Sequence, residues 1–275
     1  MSCCLRLVVC SVVAASVVAG DAGAIVVRHD HGPEAYLAEA SRFPALFALY
    51  RTKEGHRDCI ATLIAPRWAI TAAHCTEDAS LLTALEGSGH RVEIGHGEAV
   101  IDRVVRHRGD ENAPAVDLAL VRFTAAVAAV EPVALYRAAD ERGRTVLLPG
   151  WGGVGDGLDG LGPEDGLFRV AENRVDAARD GWLIWQFDDP RSGTGRALAL
   201  EGISGPGDSG GPALIMTPQG LAVAGIGSAQ RTYGRAEGLY GADEYFVRVS
   251  DFVPWIDATI AADEAEAEAM EAAGP

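Results

Sequence analysis

The chain has 275 residues, 48% of them hydrophobic, and a formal net charge of −16 at pH 7. That is enough apolar material for one large β domain or two small ones. So acidic a surface repels nucleic acid and anionic membranes, which leaves a nucleic-acid-binding role without support. The 33 glycines and the modest aromatic content fit many short strands joined by tight turns better than a helical bundle.

The chain opens with Arg6, an almost wholly apolar run over residues 7–20, and Ala22-Gly23-Ala24. A positive start, an apolar middle and a small-x-small end predict a secretory signal over residues 1–24, cut before Ile25. The alternative is a membrane anchor, but the run of about 14 residues is short of the roughly 20 that span a bilayer. The expected mature protein is therefore secreted or periplasmic, with no membrane association after cleavage. Cys3, Cys4 and Cys10 would leave with the signal, so Cys59 and Cys75 remain. In an exported protein their simplest arrangement is one disulfide, the alternative being two buried thiols. No second cysteine or histidine pair supports a zinc site.

Residues 25–27 form a short β-type run, and 33–43 suit a surface turn or short helix. Short apolar or alternating segments then predict strands at 46–50, 59–64, 68–71, 92–94, 99–105 and 117–123. Residues 125–133 read as a linker. Strands are expected again at 146–148, 182–187, 197–200, 212–216, 221–227 and 245–249, with 150–166, rich in Gly and Asp, read as loop. Asp251 can cap a terminal helix, and the Ala/Glu run at 263–271 reads as an acidic tail, helical at most. Two sets of about six short strands predict two β-barrels or one sandwich.

The sharpest local signal is Gly207-Asp208-Ser209-Gly210-Gly211-Pro212. Flanking glycines allow a tight turn that brings amide N–H groups beside a serine hydroxyl, as acyl transfer requires. A bare Gly-x-Ser-x-Gly match is usually only a turn. Serine is a weak nucleophile without a base. Of seven histidines, His74 stands apart, following an apolar strand and adjoining Cys75 in Thr71-Ala72-Ala73-His74-Cys75. A base needs an acid to hold its tautomer, and Asp117 opens the otherwise apolar Leu118-Ala119-Leu120-Val121. Taken singly, His74 could be a core histidine and Asp117 a solvated strand end.

Together, the block from Cys59 to Cys75 (CIATLIAPRWAITAAHC), Asp117-Leu118-Ala119-Leu120-Val121 and GDSGGP at 207–212 resemble the three signatures of the trypsin/chymotrypsin serine proteases. They stand in that family's His, Asp, Ser order. Gly150-Trp151-Gly152 and YFVRVSDFVPWI at 245–256 add to the resemblance, which spans roughly residues 43–256. It implies an all-β fold of two six-stranded antiparallel Greek-key barrels with a C-terminal helix. The expected divisions are a peptidase domain over 25–257, barrels at about 43–136 and 137–250, a helix from about 251, and an acidic tail over 258–275.

The resemblance also implies roles. Ser209 would be the nucleophile, His74 the base and Asp117 its orienter, with the N–H groups of Gly207 and Ser209 as oxyanion hole. Cys59–Cys75 would be the disulfide beside the histidine, and Ser228 would support Asp117 and begin a pocket wall. Ile25, freed as a new terminus, would pair with Asp208. Because the expected signal cut falls before Ile25, signal peptidase itself would create that terminus. The pocket departs from the family. Ile203 stands where trypsins carry a basic-residue-binding aspartate, Gly205 replaces a cysteine, and Ser228-Ala229-Gln230 lacks the glycine that opens the pocket. Glu244 stands where many members have glycine. Two expectations follow: an apolar pocket over Ile203, which the reading favours, or a basic-residue site at Glu244. The expected activity is hydrolysis of peptides or proteins by a monomer without metal or organic cofactor. The alternatives are a non-catalytic binding protein on this scaffold and an esterase using the same residues.

Overall fold

The computed structural model describes residues 25–51, 55, 57–109 and 115–273. The expected signal segment, with Cys3, Cys4 and Cys10, lies outside the described residues. After β1 (Val26–Val27), six strands follow: β2 (Leu46–Arg51), β3 (Arg57–Ala65), β4 (Trp68–Thr71), β5 (His90–Ile94), β6 (Gly97–Arg106) and β7 (Ala119–Phe123). They form one antiparallel sheet in the order β2-β3-β4-β7-β6-β5. All four residues of β4 are buried, which is why its sequence is a continuous apolar run rather than an alternating one. Phe47, Leu63, Trp68, Ile70, Leu120 and Phe123 fill the interior. The sheet curls until β5 lies beside β2, where His90 Nε2 meets the Leu49 carbonyl at 2.6 Å.

The second half contains β8 (Ala134–Leu135), β9 (Thr145–Gly150), β10 (Gly153–Asp156), β11 (Gly160–Glu164), β12 (Arg169–Arg174), β13 (Ala177–Arg179), β14 (Trp182–Gln186), β15 (Gly202–Ile203), β16 (Pro212–Thr217), β17 (Gly220–Arg231) and β18 (Asp243–Arg248). Its main sheet runs β12-β9-β16-β17-β18-β14-β13, with β8 parallel to β17. A smaller sheet, β11-β10-β1-β15, carries the N-terminal strand across to this half. The molecule is thus mostly β, built as two barrel-like antiparallel sheets.

Two local expectations change, and two elements carry no local signal. Residues 150–166 are not all loop, because β10 and β11 form a hairpin there. Its glycines are what allow it, since a Cβ on Gly155 would lie 2.2 Å from the Gly160 carbonyl oxygen. Residues 197–200 form no strand; the Leu198 N–H is taken by Glu201 and its carbonyl by Arg28. Strand β12 escapes a hydropathy reading because its buried face presents Arg169, Ala171 and Asn173. Arg169 is bidentate to Asp165 at 2.9 and 2.6 Å, and Asn173 Nδ2 donates to Gly202 O at 3.0 Å, so both polar groups are satisfied inside. The short helix α1 (Ala79–Leu85) likewise has no sequence signature. It is too brief to show periodicity and is held by its cap, Asp78, which accepts from Ser80 N at 2.7 Å and Leu81 N at 3.3 Å.

Helix α2 (Val249–Ala273) continues without a break through the Ala/Glu run. Its root is fixed by Arg248, paired at 2.6 Å with the fully buried Glu141. Further along, Asp263, with a side chain only 5% exposed, accepts from Arg122, which is also bidentate to Asp102 at 2.8 and 2.9 Å. The acidic run is thereby clamped to β6 and β7. Asp263→Ala should cost about 2 kcal/mol, the scale of a hydrogen bond to a charged group. For a domain of this size that is a fall in Tm of roughly 4–8 °C, read by calorimetry. An unchanged Tm would mean that the end of the helix is not docked in solution.

Candidate active site

Ser209 lies on the turn between β15 and β16. Gly207 and Gly210 on either side have φ of 93° and 75°, a region that glycine enters at little cost. A Cβ on Gly210 would also lie 2.3 Å from Thr71 Oγ1 and 2.6 Å from the Ile60 carbonyl oxygen, so the turn is pressed against β3 and β4. Ile60 N donates to Ser209 O at 2.7 Å, and Gly210 N donates to Gly227 O at 3.0 Å. The serine is thus held between the first sheet and β17 of the second. Among the described residues, neither the Gly207 nor the Ser209 N–H donates to a protein acceptor.

His74 opens a 3-10 turn just after β4. The Cys59–Cys75 disulfide ties that turn back to β3 across a separation of 16 residues. Closing a loop of this length contributes about 3 kcal/mol on a chain-entropy account. Arg106 Nε donates to Thr76 Oγ1 at 2.6 Å, and Tyr50 OH donates to the Cys75 carbonyl. Asp117 lies just before β7. Its Oδ2 accepts from His74 Nδ1 at 2.8 Å and from Ser228 Oγ at 2.6 Å, and its Oδ1 accepts from His74 N at 2.9 Å. Burial alone would raise the Asp117 carboxyl, but the bonds from His74 and Ser228 outweigh it and hold the group below its usual range. The bond to Asp117 in turn raises His74 above the ordinary histidine value, against the opposing effect of burial. His74 Nε2 lies 3.7 Å from Cys75 Sγ, a cluster that suggests metal ligands until the sulfurs are seen to be oxidised and unable to act as thiolates.

His74 and Ser209 line one cleft of about 1000 Å³ together with Tyr50, Cys59 and Trp151. No hydrogen bond joins them among the described residues. In enzymes without substrate that contact is often long and tightens only in the complex.

Behind the cleft lie two buried carboxylates. Asp208 is 3% exposed and accepts from Trp151 N at 3.2 Å and Gly205 N at 3.3 Å. Burial pushes it up to about 7, and no cation faces it among the described residues. Ile25 is also buried, and the next residue, Val26, pairs with Ile203 on one side and Gly155 on the other. Ile203 is fully buried, packed with Ile25, Val26 and Val27 in the hydrophobic core rather than at the cleft surface. Glu244, 1% exposed, accepts from Trp185 Nε1 at 3.0 Å, Ser204 N at 3.0 Å, Ser204 Oγ and Gln230 Nε2 at 3.3 Å. Burial pushes it, too, up to about 7. Ala229 is exposed and pairs with Tyr245. Nothing in the sequence around Ser204 and Trp185 marks them as partners of Glu244. Trp185 meets Glu244 only because β14 and β18 are neighbours, and no local pattern announces that pairing.

A family model described as Trypsin matches residues 35–256. The chain belongs to the trypsin family. It is 30% identical over 241 residues to serine protease SP24D of Anopheles gambiae, covering 82% of this chain and 79% of that one. Serine protease 1 of Drosophila melanogaster is 27% identical over 238 residues, covering 80% and 82%. Neuropsin, a serine protease expressed in the limbic system of mouse brain, superposes with a TM-score of 0.56 at 18% identity, over 82% of this chain and 98% of neuropsin. That likeness speaks to the fold, and the trypsin-family relatives support a peptidase.

Proposed function

We propose that this trypsin-family protein is a secreted serine endopeptidase that cleaves peptide bonds through an acyl-enzyme on Ser209. The carrying observation is the hydrogen-bonded chain Ser228–Asp117–His74, whose histidine lines the same cleft as Ser209. With Nδ1–H held by Asp117, the free Nε2 is the basic nitrogen. It takes the Ser209 proton as Oγ attacks the carbonyl carbon. The developing oxyanion is met by the N–H groups of Gly207 and Ser209, and His74 returns the proton to the leaving amine. Water then repeats the sequence to free the acid. Losing one such amide donor typically costs about 3 kcal/mol of barrier.

The activating step in this reading is the release of Ile25 as a chain terminus, whose amine neutralises Asp208. Support comes from a buried carboxylate without a cation among the described residues and from the buried strand that follows Ile25. A fluorophosphonate probe tests the catalytic reading directly. It should label Ser209, and the labelling rate should rise with pH as His74 loses its proton, with a midpoint above the ordinary histidine value of about 6.5. Folded protein beginning at Ile25 that takes no label at Ser209 would instead be a binding protein on the peptidase scaffold.

A further inference from the structure

The wall of the cleft carries a covalent bond that mild chemistry can open. Cys59 and Cys75, joined as a disulfide, line the cleft together with His74 and Ser209. The crosslink also joins the two halves of the site. Ile60, next to Cys59, donates its N–H to Ser209 O at 2.7 Å, and His74 directly precedes Cys75. Cys75 Sγ lies 3.7 Å from His74 Nε2, the nitrogen that must take the serine proton. Cys59 has a φ of 53°, a left-handed conformation that is costly for a residue with a Cβ. Opening the crosslink leaves that residue free to relax.

The charges around the sulfurs are uneven. Asp117 from the start of β7, Glu77 beside the histidine's own turn and Asp58 from β3 each favour the protonated form of His74. From β6, Arg106 is engaged by the hydroxyl and carbonyl of Thr76, and from β2 Tyr50 OH donates to the Cys75 carbonyl. Among the described residues, His74 is therefore the cation placed to meet a sulfur anion at Cys75.

We infer that the Cys59–Cys75 disulfide is a thiol-responsive switch: a small dithiol opens it, and the freed Cys75 thiolate captures His74 as imidazolium and stops Ser209. This rests on the peptidase reading, which supplies the activity to be stopped. Cys59 is 7% exposed against 2% for Cys75, so a reductant entering the cleft meets Cys59 first. Its thiolate attacks Cys59 Sγ, and the S–S bond breaks with its electron pair leaving on Cys75 Sγ. Departure is favoured because an imidazolium stabilises the leaving thiolate. The second thiol of the reductant then displaces Cys59 and closes the reductant's own disulfide. Of the two protons the dithiol brings, one ends on Cys59 and the other on His74 Nε2. A histidine holding that proton against a thiolate has no lone pair for the serine. Reoxidation removes the thiolate and returns the base.

The test treats folded protein beginning at Ile25 with dithiothreitol, with a chelator present throughout, and follows fluorophosphonate labelling of Ser209. Labelling should slow by about tenfold or more and recover on reoxidation. Iodoacetamide at pH 6, where an unpaired thiol is almost wholly protonated, should modify Cys75 about tenfold or more faster than Cys59 in the same molecules. His74→Ala should abolish that preference. A protein carrying both Cys59→Ser and Cys75→Ser has neither crosslink nor thiolate, so it should label faster than reduced wild type. A disulfide that resists dithiothreitol in the folded protein overturns the switch. So does reduced wild type that labels at the oxidised rate, or that alkylates Cys75 no faster than Cys59, and neither result needs a variant to fold. A folded double-serine protein as slow as reduced wild type shows that only the crosslink mattered, and also overturns it. Oxidised wild type that takes no label overturns the peptidase reading beneath.

Discussion

Ser209→Ala should leave a folded protein whose kcat on peptides is lower by about 10⁶-fold, the scale seen when a triad nucleophile is removed. The fold should survive because the turn is held by backbone bonds (Ile60 N to Ser209 O, Gly210 N to Gly227 O) that do not involve the hydroxyl. His74→Ala should cost about as much, and the double variant little more, because nucleophile and base act as one unit. Asp117→Asn should cost about 10⁴-fold through the wrong histidine tautomer. Stopped assays on a peptide substrate, with circular dichroism to establish folding, measure all four. A Ser209→Ala protein that keeps a tenth of its activity would refute the acyl-enzyme mechanism.

The second large effect concerns the terminus. Protein beginning at Ile25 should be about 10²- to 10⁴-fold more active than protein in which uncleaved residues precede it, since breaking a buried ion pair costs about 3–5 kcal/mol and each 1.4 kcal/mol is tenfold. With residues attached, Asp208 is a buried carboxylate raised to about 7. A raised carboxyl favours the fold in acid, so in the uncleaved form the contribution of Asp208 should be fully present below about pH 4 and be lost as pH rises through 7. With the Ile25 amine in place, the ion pair lowers Asp208 instead. Stability then appears above the carboxyl's unfolded value, is lost in acid as Asp208 protonates, and is lost again in alkali as the amine deprotonates. Tm against pH for the two forms, with matched activity assays, distinguishes these curves. Equal activity of both forms, or N-terminal sequencing of active enzyme that begins anywhere but Ile25, would remove the proposed activation.

Much of the candidate site was legible because its chemistry is local. Gly207 to Pro212 forms a turn by its own backbone preferences, and His74 is anchored by the adjacent Cys75, so short strings of residues carry both. Strands such as Trp68–Thr71 were legible for a similar reason, as burial on both faces leaves an unbroken apolar run. Strand Arg169–Arg174 was not, because its inward face is polar and satisfied by partners the string does not reveal. Nor was the docking of the acidic run, since the ion pair of Asp263 with Arg122 joins residues 141 positions apart.

By itself, then, the sequence determined the family, the β-rich architecture and the disulfide-tethered histidine that accompanies the serine turn. The tertiary structure decided what surrounds them. It sank Ile203 into the core beside Val26, joined Ser228 to Asp117, and drew Gln230, Ser204 and Trp185 around Glu244. The physical reason is that a turn or an apolar strand is set by neighbours in the chain. The state of a buried carboxylate is set by whichever donors and cations the fold brings within about 3 Å of it.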